Sequence, residues 1–97
     1  MWIRCENGEI LNGDRCDRFS TGAAAQVREV NYRDGSGKTY SDLPETGWLL
    51  LAHRKSSLLC VARYETKAQA DHALKLLFEA MTENRSTFAA PRMEKAP

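Results

Sequence analysis

Several marks of specialised protein classes are missing from this chain. In 97 residues there are three prolines, two tryptophans and three cysteines. The longest apolar run covers only residues 48–52, far short of the roughly twenty apolar residues that a membrane-spanning helix needs. Cys5, Cys16 and Cys60 are odd in number and form no Cys-x-x-Cys pair, which argues against a disulfide framework. The first residues, Met1-Trp2-Ile3-Arg4-Cys5-Glu6, lack the basic-then-apolar pattern of a secretory signal. A reducing, cytoplasmic setting without membrane association is therefore expected. The net charge of +1 suits neither a DNA-coating protein nor an acidic nucleic-acid mimic, though it leaves room for a local basic patch. No Gly-x-Ser-x-Gly elbow occurs, and two histidines alone define no catalytic triad. No enzyme activity and no cofactor are expected.

What is present is ordinary for a globular domain: 42% apolar and 28% charged residues, enough for one core in one domain. Residues 58–84 organise the rest. Leu58-Leu59-Cys60-Val61-Ala62-Arg63-Tyr64 is apolar, β-branched or aromatic except at Arg63 and reads as a strand. Thr66 follows as a helix N-cap, with Gln69 three residues on to complete a capping box. Ala70, Ala73, Leu74, Leu77 and Met81 recur at helical spacing, widened by Leu76, Phe78 and Ala80. Such a helix needs a sheet to cover, because propensity alone does not hold it in water.

Upstream, Trp2 to Cys5 reads as a first strand, Asn7-Gly8 as a turn and Glu9-Ile10-Leu11 as a second strand. Asn12-Gly13-Asp14 is another turn. Residues 15–20 form a further short strand with Cys16 and Phe19 as its apolar positions, and Thr21-Gly22 is a break. Alanines favour helix over residues 23–26, but Val27, Val30 and Tyr32 favour strand, which is predicted from Ala25. Residues 34–47, rich in glycine and holding Pro44, form a loop. Trp48 to His53 is a strand that pairs with Leu58 to Tyr64 as a hairpin through Arg54-Lys55-Ser56-Ser57. Strict alternation puts Leu58, Cys60, Ala62 and Tyr64 on one face and Leu59, Val61 and Arg63 on the other. Both faces are partly apolar, so both need cover, by the helix and by a curled sheet or a partner subunit. Residues 1–84 make the domain, and residues 85–97 a tail in which Phe88-Ala89-Ala90-Pro91 docks as an extended segment.

Gly35-Ser36-Gly37-Lys38-Thr39 ends like a phosphate-binding loop, but Tyr32 stands where the first glycine is required and no helix follows. It reads as a turn. His53, Arg54, Lys55 and Arg63, with Lys38 and further arginines at Arg28 and Arg33, make a basic group around the hairpin tip. Cys5, Cys16, Cys60, His53 and His72 lack the close pairing of metal ligands, so no metal site is expected. Asp14 and Asp17 read as turn-forming acids, and Asn84-Arg85-Ser86 as an unused glycosylation sequon.

Met1-Trp2-Ile3-Arg4 at one end, and Ala62-Arg63-Tyr64-Glu65-Thr66, Ala70, Ala73-Leu74 and Phe88 with Pro91 at the other, resemble a group of small uncharacterised bacterial proteins from prophages and mobile elements. The resemblance covers about a third of the chain. It implies a compact β-sheet with a C-terminal helix and a mobile-element origin, and it carries no activity.

The sequence thus predicts an α+β domain: one curved or barrel-like antiparallel sheet of about five strands packed against one C-terminal helix. Its function is expected to be protein binding through loops or the sheet face, with Lys38, Tyr40, His53, Arg54, Lys55 and Arg63 as contact residues and a homodimer among the arrangements. Nucleic-acid binding through the basic hairpin is the alternative, and a nucleotide-binding enzyme using Lys38 ranks below both.

Overall fold

A computed structural model describes residues 1–27, 46–54 and 57–91. The protein is α+β. In chain order the elements are β1 (Trp2–Arg4), β2 (Ile10–Asn12), a 3-10 turn (Gly13–Arg15), β3 (Arg18–Ala23), β4 (Trp48–Arg54), β5 (Ser57–Tyr64), α1 (Lys67–Thr82) and β6 (Thr87–Ala89). Among the described residues there are two three-stranded sheets, ordered β2-β1-β6 and β3-β4-β5. The single five-strand sheet is therefore corrected to two sheets, and they do not close into a barrel.

The first sheet begins with a hairpin. Gly8 takes φ +93 in the turn, the backbone N–H of Cys5 donates to the Glu9 carbonyl at 2.8 Å, and that of Gly8 to the Cys5 carbonyl at 3.0 Å. β2 lies antiparallel to β1, with Ile3 opposite Leu11. On the other side β6 runs parallel to β1, with Ile3 opposite Phe88. The parallel pair joins the two ends of the described chain, so everything between serves as the crossover that parallel strands require.

The second sheet is an antiparallel meander. β3 extends through Thr21-Gly22 to Ala23, pairing Thr21 with Leu50 and Gly22 with Leu49, so the predicted break at Thr21-Gly22 is a continuous strand. Tertiary pairing overrides the weak local preference of glycine. A Cβ on Gly22 would lie 2.9 Å from Val27 Cγ2, so the missing side chain leaves the room that Val27 occupies. Residues 24–27 are helical, which corrects the strand predicted from Ala25; the alanine propensity prevails there. The rest of that segment, the loop up to residue 45 with its phosphate-loop-like motif, and the hairpin tip at residues 55–56 lie outside the described residues.

Between β4 and β5 the register shifts by one residue: Leu50 faces Ala62, but Leu51 faces Cys60. Val61 is the extra residue of a bulge. A bulge reverses the parity of every later side chain. Leu58 and Cys60 therefore pack with Ala24, Leu49, Leu51 and Val27 on one side of the sheet. Leu59, Val61, Ala62 and Tyr64 join the main core on the other. The strict alternation read from the sequence holds only as far as Val61; Ala62 and Tyr64 fall on the same side as Val61 instead of opposite it. The carbonyl of Val61 accepts from the Glu6 backbone N–H at 2.8 Å, so the bulge also ties the outer edge of β5 to the turn after β1.

Thr66 caps α1 as expected: its hydroxyl accepts from the Gln69 N–H at 3.2 Å, and the Gln69 side chain accepts from the Thr66 N–H at 3.3 Å. The C-terminal end is a Schellman closure. Arg85 N–H donates to the Ala80 carbonyl, Asn84 N–H to the Met81 carbonyl, and Asn84 takes the left-handed φ of 56. Ala70, Ala73, Leu77 and Ala80 are buried. Three alanines in that set let the helix axis lie close to the sheets, where Ile3, Leu11, Leu50 and Val61 complete the main core.

Candidate functional site: a cleft beside the C-terminal helix

Because α1 seats on a narrow alanine face, the next row of its apolar side chains stays open. Phe78 is 67% exposed and Met81 46%, although the helical stripe had placed both with the core. Beside them lies a cleft of about 540 Å³. Leu74, Leu77, Phe78 and Met81 line it from α1, and Cys16 and Phe19 from the segment entering β3. That volume falls in the range of ligand and peptide pockets. A second hollow of about 380 Å³ shares Gly13, Phe19 and Met81 with it, so the opening continues toward the N-terminus.

The rims are charged. Asp17 and Arg18 stand on the β3 side, Asp71 and Lys75 on the helix side. Asp71 accepts from Lys67 Nζ at 2.7 Å and from Thr21 Oγ1 at 2.7 Å. Lys67 first, then Thr21, holds its carboxyl below the usual range. The Thr21 bond pins the helix to β3 beside the cleft. Asp14, which lines the second hollow, pairs with the N-terminal amine of Met1 at 2.8 Å.

The residues singled out for charge are placed differently. Lys38, Tyr40 and Lys55 lie outside the described residues. His53 Nε2 is 2.6 Å from Ser20 Oγ, a diagonal cross-strand contact. That is a nucleophile–base distance; acyl chemistry would also need N–H donors converging on an oxyanion. Arg63 donates from Nε to the Thr46 carbonyl at 2.7 Å and from Nη2 to Thr46 Oγ1 at 3.1 Å, closing the start of β4 onto the end of β5. Arg54 Nε is buried with no hydrogen-bond partner among the described residues. His53, Arg54 and Arg63 are thus half-buried strand residues, and none of them lines the cleft.

Among the described residues no group of three or more His, Cys, Asp and Glu side chains is placed to hold a metal ion. Burial, reinforced by Glu9 and Cys16, raises the Cys5 thiol. Burial pushes Cys60 up to about 12, with Glu6 and Cys5 adding to it and the bond to the Ala62 carbonyl opposing. Tyr64, whose hydroxyl donates to the Pro91 carbonyl at 2.9 Å, is pushed up to about 12 by burial, then by Glu6 and Cys60.

These shifts set an alkaline limit. Both groups are neutral in the fold and ionise more readily once unfolded, so their contribution is complete below the ordinary values of 9.0 for Cys60 and 10.0 for Tyr64 and is lost as pH rises toward about 12. Stability is expected to fall steadily above pH 9. The Tyr64 ionisation, followed by tyrosinate absorbance, should coincide with loss of helix by circular dichroism. Tyr64→Phe would move that transition upward; an unchanged transition would remove Tyr64 as its cause.

Among the described residues no helix is long and apolar enough to cross a membrane. Comparison with protein-family models finds no match, and neither characterised proteins nor solved structures match the chain.

Proposed function

We propose that the protein is a non-enzymatic protein-binding module that takes its partner into the cleft between α1 and the entry to β3. The observation that carries this reading is the pairing of an open apolar cleft with a large aromatic, Phe78, standing 67% exposed at its rim. Leaving such a side chain in water is unfavourable, and concave apolar surface with a polar rim is the usual form of a recognition site. The residues behind the resemblance to prophage proteins support the scaffold instead: Trp2, Ile3 and Arg4 form β1, and Tyr64 and Thr66 sit at the β5–α1 junction. Nucleic-acid binding through the hairpin draws less support, since the Arg63 guanidinium is committed to Thr46 and the His53 ring to Ser20.

The test is recovery of protein by the tagged chain from a nuclease-treated lysate supplemented with an untagged copy of the chain. Phe78→Asp should reduce recovery at least about tenfold, as truncating a central aromatic anchor does. Arg54→Glu with Lys55→Glu should leave it unchanged. The opposite pattern, with binding lost on nuclease treatment, would replace this reading with the nucleic-acid one.

A further inference from the structure

We infer that the partner seated in the cleft is a second copy of this chain, related by a two-fold axis that runs along the cleft. This rests on the reading of the cleft as a protein-binding surface. A two-fold interface sets one patch against itself, so the patch must carry both a projection and a recess. Here they are neighbours: Phe78 and Met81 project, and the hollow floored by Cys16, Phe19 and Leu77 lies beside them. An axis along the cleft lays the helix rim of each copy over the β3 rim of the other, so Phe78 of each enters the recess of its mate.

Charge favours the same arrangement. Each rim carries one acid and one base, Asp17 with Arg18 and Asp71 with Lys75. Exposed Asp17 and Lys75 make no ion pair within the described residues. Laying rim over rim brings Lys75 of one copy to Asp17 of the other, twice by symmetry. The net charge of +1 adds little long-range repulsion between copies. A strongly acidic or basic partner would find no single-signed rim to match.

The experiment is sedimentation velocity of the intact chain across the micromolar range, with Lys75→Glu, Asp17→Lys and their equal mixture. Wild type should dimerise. Each single variant should raise the dimer dissociation constant about tenfold, because both symmetry-related pairs become repulsive. Mixing the two variants should restore affinity to within about twofold of wild type, since every facing pair in the mixed dimer is again opposite in sign. A role for either residue inside its own chain would give no rescue on mixing. Phe78→Asp should raise the constant about a hundredfold, with the helical circular dichroism signal retained. A wild-type monomer at all concentrations, or a mixture no tighter than its components, would overturn the dimer. If Phe78-dependent recovery of another protein persisted in that case, the binding-module reading would stand without it; loss of Phe78 dependence in both assays would remove the cleft altogether.

Discussion

Leu77→Ala is expected to lower the unfolding free energy by about 3 kcal/mol, corresponding to about 15 °C in Tm for a domain of this size. Leu77 is fully buried and belongs to the cluster that holds Ile3 and Leu11 of one sheet, Leu50 and Val61 of the other, and Ala70 and Ala73 of its own helix. It is the largest buried side chain that α1 contributes; the helix's other buried residues are alanines. Truncation removes the main apolar attachment of the helix and leaves a void that small neighbours cannot fill. Leu77 also lines the cleft, so the new space is continuous with solvent, which keeps the cost below the upper end of the leucine-to-alanine range, about 5 kcal/mol. Denaturant unfolding checks this: the midpoint should fall with an unchanged slope. Phe78→Ser, one residue away but mostly exposed, should change stability by no more than about 0.5 kcal/mol. If Phe78→Ser proved as costly as Leu77→Ala, Phe78 would be a core residue and the cleft would not be open.

The contrast between these adjacent residues explains what could be read from the chain. Local features were legible. The Thr66–Gln69 capping box, the Asn7-Gly8 hairpin and the pairing of β4 with β5 depend on neighbours in sequence, and the structure has them. What depends on distant partners was not. The parallel pairing of Ile3 with Phe88 leaves no periodic trace, and neither does the division into two sheets. The bulge at Val61 is invisible to an alternation rule, because an apolar residue looks the same whether it continues the alternation or interrupts it.

The cleft was hidden for a related reason. A helical stripe gives the direction of an apolar face but not how much of its width a neighbour covers. Leu74, Phe78 and Met81 lie on the shoulder of the stripe, and only the closeness permitted by Ala70, Ala73 and Ala80 leaves that shoulder open. The signal was the excess: eight apolar positions from Ala70 to Met81, of which four are buried. Charge drew attention instead to His53, Arg54 and Arg63. Their places within β4 and β5 follow from sheet register, which the sequence pattern did not resolve at the bulge.

Gly47→Ala is expected to cost about 2–3 kcal/mol, more than an ordinary glycine replacement, because two penalties coincide. The residue takes φ +91, a conformation that strains any L side chain by about 1–2 kcal/mol. Its Cβ would also stand 2.7 Å from the Tyr64 carbonyl oxygen and 2.8 Å from Arg63 Nε. The oxygen is backbone at the end of β5 and cannot swing aside. The guanidinium is held by two bonds to Thr46, so relieving that contact breaks the clasp between the strands. The Gly47 carbonyl meanwhile accepts from the Ala24 N–H at 2.9 Å, and a shift of Gly47 would disturb the helical residues covering the second face of the sheet. Gly8 is the control: it takes φ +93, but nothing lies within 4 Å of its Cβ position, so Gly8→Ala should cost only the conformational share, about 1–2 kcal/mol. Thermal unfolding of the two variants side by side separates strain from collision. Equal losses would mean that the close approach at Gly47 contributes nothing and that the β4–β5 closure tolerates a methyl group.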